Sequence, residues 1–140
     1  METQIIKQKV VAAGKRKKAV AKATIVEGDG KVTINNISYE HMPSMFHKLM
    51  MKEPIDITKK VLGDFKFNIS IKVHGGGTEG RVEASRLALA KSIVKFTKNN
   101  DLKKAFLDYD KTLLVADTRR KEPYKPGDSK ARSKRQKSYR

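Results

Sequence analysis

Apolar and polar residues alternate most cleanly between Phe65 and Val73. Phe65, Phe67, Ile69, Ile71 and Val73 interleave there with Lys66, Asn68, Ser70 and Lys72. A period of two with one dry and one wet face predicts a half-buried β-strand. The same period runs through Ala19–Val26, where Ala19, Ala21, Ala23 and Ile25 share one face and Val20, Lys22, Thr24 and Val26 the other. Glu27-Gly28-Asp29-Gly30 is a strong turn signal before a strand at Val32–Ile34, so these two strands are expected to form a hairpin. A further strand is expected over Ile5–Ala13, closed by a turn at Gly14. The period changes after Gly75–Gly77. Val82, Arg86, Leu89, Ile93 and Phe96 recur at steps of three and four, which predicts a helix from Glu79 to about Lys98. Leu102–Asp108 reads as a second helix with Asp101 as its N-cap. Tyr39–Lys52 reads as another, in two pieces around Pro43 and closed by Pro54. Thr112–Ala116 is either a short strand or an anchoring turn. The expected architecture is an α/β (α+β) sandwich of about four strands with helices packed on one face.

Composition changes this picture at the two ends. The chain has 140 residues, 38% of them hydrophobic, enough for one modest core. Its formal net charge is +17, beyond the magnitude of about 2–8 that solubility asks of a small domain, and that excess points to a polyanionic partner. The charge is unevenly spread. Residues 1–23 carry a net +6, residues 24–116 only +4, and residues 117–140 a net +7. The apolar side chains of the last segment are Tyr124, Ala131 and Tyr139, too few to offset about 1–2 kcal/mol of ordering entropy per residue. Residues 1–116 are therefore expected to fold and 117–140 to form an extended basic tail ordered by a partner. A solubilising or nuclear-localisation tail is the blander alternative. The basic cluster Lys15, Arg16, Lys17 and Lys18 at the other end favours polyanion binding. The absence of cysteine excludes disulfides, thiolate metal sites and a thiol nucleophile. No apolar run approaches the ~20 residues of a membrane span, and no signal-peptide core is present, so an intracellular protein fits.

Candidate chemistry is sparse. Gly75-Gly76-Gly77-Thr78-Glu79-Gly80 matches a nucleotide-loop pattern by letter. Arg81 and Val82 follow it where a phosphate loop needs Lys and Ser/Thr, and Glu79 at the helix start would repel a pyrophosphate. A structural turn, or close approach of glycine backbone to RNA, is the better reading. His41, His47 and His74 lack zinc-ligand spacing. Met42, Met45, Met50 and Met51 beside His47 read as gap-filling core. No carboxylate pair or nucleophile set points to catalysis. With few aromatics and no Trp, base stacking is not indicated, and recognition of RNA shape and phosphate is expected. A nucleotide-dependent enzyme and a DNA-binding, chromatin-like protein are the competing classes.

Four segments in order carry a resemblance: GKRKKAVAKATI, GDGKVTIN, DFKFNISIKVHGGGTEGRVEASRLALAKSIV and DTRRKEPYKPGDSKARSKRQKSYR. Together they closely resemble the small-subunit ribosomal protein nine family, and the ending resembles its archaeal and eukaryotic branch. The resemblance implies a sheet-and-helix sandwich like the second domain of another small-subunit protein, and no enzymatic activity or cofactor. It implies a place in the head of the small subunit of the cytoplasmic ribosome, bound to ribosomal RNA and beside neighbouring head proteins, with no membrane and no small-molecule substrate. Carried over by position, Lys15, Arg16, Lys17, Lys18, Arg119, Arg120, Lys121, Lys125, Lys130, Arg132, Lys134 and Arg135 would line the RNA. Lys137, Tyr139 and Arg140 would lie nearest the tRNA in the peptidyl site. Tyr139 stands where bacterial members have a lysine, so stacking or a hydroxyl contact would partly replace charge at the tip.

Overall fold

The computed structural model describes residues 8–135, 137 and 139. Five strands form one mixed sheet in the order β1-β2-β5-β3-β4, from β1 (Val10–Arg16), β2 (Ala19–Glu27), β3 (Val32–Ile34), β4 (Ile37–Ser38) and β5 (Phe67–His74). Three α-helices accompany them: α1 (Met45–Leu62), α2 (Thr78–Thr97) and α3 (Asn100–Tyr109). The fold is thus α+β, with one strand more than the expected four.

The core lies between the sheet and α2. Ala19, Ala21, Ala23 and Ile25 from β2, with Ile69 and Ile71 from β5, are essentially sealed from solvent. They meet Ala84, Ala88, Leu89 and Ile93 of α2. Alanine faces alanine here, so helix and strand backbones approach closely. Gly14 is the extreme case: a Cβ built on it would sit 2.4 Å from the Ala84 carbonyl oxygen and 2.7 Å from the Ala88 nitrogen. The turn expected at Gly14 does not form: β1 continues through it to Arg16, because the missing side chain is needed for contact with α2. Residues 5–7 of the expected first strand lie outside the described residues. The chain reverses instead at Lys17-Lys18, between the paired residues Arg16 and Ala19, with Lys17 at φ 52°.

The expected β2–β3 hairpin does not form. β5 inserts between these strands, antiparallel to β2 and parallel to β3. Alternation reveals a strand but not its partner, and β2 already pairs on both edges. The Gly28–Gly30 turn does exist, held across the end of β5 by the Asn68 side-chain oxygen. That oxygen accepts from the backbone nitrogens of Asp29 and Lys31, each at 3.0 Å. Two helix boundaries also moved. A turn of 3₁₀ helix at Tyr39–His41 precedes Pro43, as the two-piece reading expected, but α1 then runs on through Pro54 to Leu62. An internal proline costs roughly 3 kcal/mol. Burial of Met51, Pro54, Ile55 and Thr58 along one stripe offsets that cost. Helix α3 is capped by Asn99 rather than Asp101, its side-chain oxygen accepting from the Asp101 nitrogen at 2.8 Å. The anchoring-turn reading of Thr112–Ala116 holds: Leu113 is fully buried in a 3₁₀ turn at Lys111–Leu113. Beyond it, residues 115–135 form neither helix nor strand.

Candidate nucleic-acid interface

The β1–β2 reversal places Lys15, Lys17 and Lys18 on the surface at one end of the sheet. The glycine-rich turn packs beneath it. Gly75 and Gly76 have φ 73° and 64°, and a Cβ on Gly75 would meet the Lys18 carbonyl oxygen at 2.5 Å. The glycines therefore serve a packed turn, and the Arg81 side chain closes it by donating from Nε to the Gly75 carbonyl at 3.0 Å. Glu79 pairs with the buried His47 at 2.7 Å, which ties the start of α2 to α1. Of the four methionines near that histidine, Met51 is buried, Met42 and Met50 pack against the core, and Met45 is 67% exposed.

Arg16 differs from its three lysine neighbours. Its side chain is only 14% exposed and reaches inward, where Nε donates to Glu83 of α2 and Nη1 lies 2.9 Å from Asp117 Oδ2. The Asp117 approach is off the N–H direction, so it is a Coulombic contact rather than a directed hydrogen bond. Asp117 also receives Arg119 in a fork, from Nε at 2.9 Å and Nη2 at 2.7 Å, together with the Arg119 backbone N–H at 2.9 Å. The Arg119 guanidinium first, and its backbone N–H second, hold the Asp117 carboxyl down at about 2. A Glu83–Arg16–Asp117–Arg119 chain thus fastens the root of the C-terminal segment to the β1–β2 reversal.

Sequence spacing did not reveal this latch. Arg16 and Glu83 are 67 residues apart, and neither acid stood out as a candidate. Only the local step from Asp117 to Arg119 carried a signal, since an aspartate accepting from the backbone N–H two residues on is a recurrent turn. The structure brings Lys15, Arg16 and Arg119 around one cleft, so the two basic ends of the chain meet. It commits Arg16 to the fold rather than leaving it open to a ligand.

The remaining tail cations lie outward. Arg120, Lys121, Lys130, Lys134 and Lys137 are exposed. Lys121 Nζ sits 4.4 Å from the Tyr124 ring centroid, and Lys125 Nζ donates to the Ser133 carbonyl at 2.7 Å. Arg132 pairs with Glu122 at 2.9 Å and Arg135 with Asp128 at 3.1 Å, both with highly exposed guanidinium groups. Tyr139 is 87% exposed, and Arg140 lies outside the described residues. Among the described residues no helix is long and apolar enough to cross a membrane.

The family described as ribosomal protein S9/S16 matches residues 14–140. The chain is 45% identical over 133 residues to small ribosomal subunit protein uS9 of Methanococcus vannielii, covering 94% of this chain and 98% of that one. It is 47% identical to the uS9 protein of Methanococcus maripaludis over the same share, and 44% identical to that of Thermoplasma volcanium over 132 residues. These relatives are archaeal, in agreement with the branch indicated by the ending of the chain. The match begins at the strand that carries the basic reversal and runs through the latched tail to the last residue, so the chain belongs to the ribosomal protein S9/S16 family, a structural and non-enzymatic component of the small ribosomal subunit.

Proposed function

We propose that this protein binds ribosomal RNA in the head of the small subunit of the cytoplasmic ribosome and directs its C-terminal tail toward the tRNA in the peptidyl site. The observation that carries this reading is the meeting of the two basic ends. Lys15, Lys17 and Lys18 lie beside the latched root of a tail that bears Arg119, Arg120, Lys121, Lys125, Lys130, Arg132, Lys134 and Arg135. Such a surface neutralises phosphates over a length that no single cluster covers, with counterion release as the main driving term. The division of labour follows: residues 1–116 dock as a folded unit, and 117–140 follow RNA away from it. Lys137, Tyr139 and Arg140 are then the residues delivered to the tRNA. Neighbouring head proteins are the remaining partners, and the exposed Met45, Phe46 and Leu49 of α1 offer them an apolar contact.

The test is binding of the full chain to a transcript of the small-subunit head RNA across a salt series. The logarithm of affinity should fall steeply with the logarithm of salt, by about 0.7–0.9 per phosphate engaged. A flat response would overturn phosphate neutralisation. Subunits reconstituted with a Lys137→Ala, Arg140→Ala protein should keep normal assembly and bind peptidyl-site tRNA more weakly. Unchanged tRNA affinity would remove the tip from that role.

A further inference from the structure

The sheet has a second face, turned away from α2. On β2 and β5 the residues that alternate with the buried set are exposed or half-buried. Strand register arranges them in rows. Ala13, Lys22 and Lys72 lie side by side across β1, β2 and β5. The next row starts at the exposed Val11 of β1 and continues through Thr24, Ser70, Thr33 and Ser38, one hydroxyl from each of the other four strands. Lys15 lies on the same side of β1, and Lys9 and Lys31 border the groove over Thr24 and Ser70. No Asp or Glu occupies any strand position on this side. Among the described residues, no carboxylate forms an ion pair with Lys22 or Lys72.

This arrangement works against the stability of the protein by itself. Like charges directly opposite across an antiparallel ladder repel, whereas opposite charges there would stabilise. Facing residues have Cα atoms about 4.5–5.5 Å apart, close enough for two ammonium groups to converge on one anion. The hydroxyl row beside them supplies uncharged donors, and the strand positions of this side carry no Phe, Tyr or Trp for base stacking, the imidazole of His74 at the end of β5 being the one ring. A phosphodiester backbone matches all three features: charge, donor spacing and lack of base readout.

We propose that this open face is a separate docking surface for an RNA backbone, on which Lys22 and Lys72 jointly hold a phosphate and the Thr24, Ser70, Thr33 and Ser38 hydroxyls contact the adjoining backbone oxygens. The proposal rests on the reading of the chain as a ribosomal-RNA binder, but it concerns a surface distinct from the basic reversal and the tail.

The experiment compares three full-length proteins: wild type, Lys22→Gln with Lys72→Gln, and a charge-matched control, Lys59→Gln with Lys60→Gln, whose exposed lysines lie on α1. Each is titrated against the head-RNA transcript over a salt series, footprinted on it with hydroxyl radicals, and melted without RNA. The sheet variant should bind about tenfold more weakly. Its salt slope should shrink by about 0.7–0.9 for the phosphate released. It should lose protection over one discrete stretch of RNA, while its melting temperature alone is unchanged or higher. The control should bind as wild type does. Unchanged affinity in the sheet variant, or an equal loss in the control, overturns the sheet-face site. Should the double variant fold poorly, Lys72→Gln alone carries the same test. Failure of the wild-type protein to bind with a steep salt slope would overturn the broader reading instead, so the two failures are told apart.

Discussion

Arg16 and Arg132 each pair with a carboxylate, and the two pairs are held in opposite ways. Arg16 is 14% exposed and fixed between Glu83 of α2 and Asp117 at the tail root. Arg132 is 89% exposed and meets Glu122 within a segment that has no helix or strand. Water screens the second pair almost fully, so its contribution is about 0–1 kcal/mol and phosphate can displace the carboxylate. The Arg16 guanidinium is withdrawn from water, with Asp117 19% and Glu83 41% exposed, so removing it leaves one carboxylate that solvent reaches poorly and one that it reaches in part. Two arginines in two basic clusters thus serve different ends. One builds the base from which the tail departs, and the other stays exposed to solvent. Net charge counts both equally.

The largest effect should come from breaking the buried pair. Arg16→Ala is expected to destabilise the fold by about 2–3 kcal/mol, between the ranges for buried and surface pairs because Glu83 is 41% exposed. Denaturant unfolding of the full chain would measure it. The same change should increase hydrogen exchange at the Asp117–Arg119 backbone, because the root loses its tie to β1. A loss below about 0.5 kcal/mol would place Arg16 with the tail arginines and dissolve the contrast.

The acid limit of the latch is a smaller and sharper test. The folded pKa of Asp117 is lowered from 3.8 to about 2, so its ion pairs are fully present above about 3.8 and are lost as pH falls through about 2. The side-chain and backbone hydrogen bonds from Arg119 are the main cause of that shift, and the charge of Arg16 is the smallest. A carboxyl-carbon NMR titration should therefore show the midpoint rising toward 3.8 in Arg119→Ala and moving much less in Arg16→Ala. Added salt should also raise it, since Arg119 is 82% exposed. The reverse order would make Arg16 the stronger partner.

The same contrast marks what could be seen in the sequence. Periodicity revealed β5 and α2 within about two residues, because burial on one side forces a period of two in a strand and a helical period in a helix. It could not show that β5 separates β2 from β3, since either pairing hides the same apolar residues. Gly14 read as a turn because a glycine before four cations carries no sign of the helix above it; only the Ala84 and Ala88 backbone explains the missing Cβ. Pro54 read as a helix end because local preference ignores the buried stripe that carries α1 past it. At the interface, clusters of basic residues were visible as composition. Their division into structural and available cations was not, because Arg16 finds Glu83 only after 67 residues have folded. Lys22 and Lys72 were read as the wet faces of two strands, and only the register sets them opposite each other.

The smallest expected effect is the most informative about the tail. Arg132→Ala combined with Arg135→Ala removes two ion pairs, Arg132–Glu122 and Arg135–Asp128. If these pairs stabilised the fold, the double variant would lose stability in proportion. With guanidinium groups 89% and 73% exposed, each pair gains little over hydration and immobilises two long side chains to form. Unfolding free energy should therefore stay within about 0.5 kcal/mol of wild type. On the proposed function RNA affinity should nevertheless fall, because the two groups lost are planar guanidinium forks suited to bidentate phosphate contact. Replacing both with lysine separates charge from geometry: charge alone would restore the salt slope, while any affinity still missing measures the guanidinium fork. A stability loss above 1 kcal/mol would instead show that the tail pairs belong to the fold as Arg16 does.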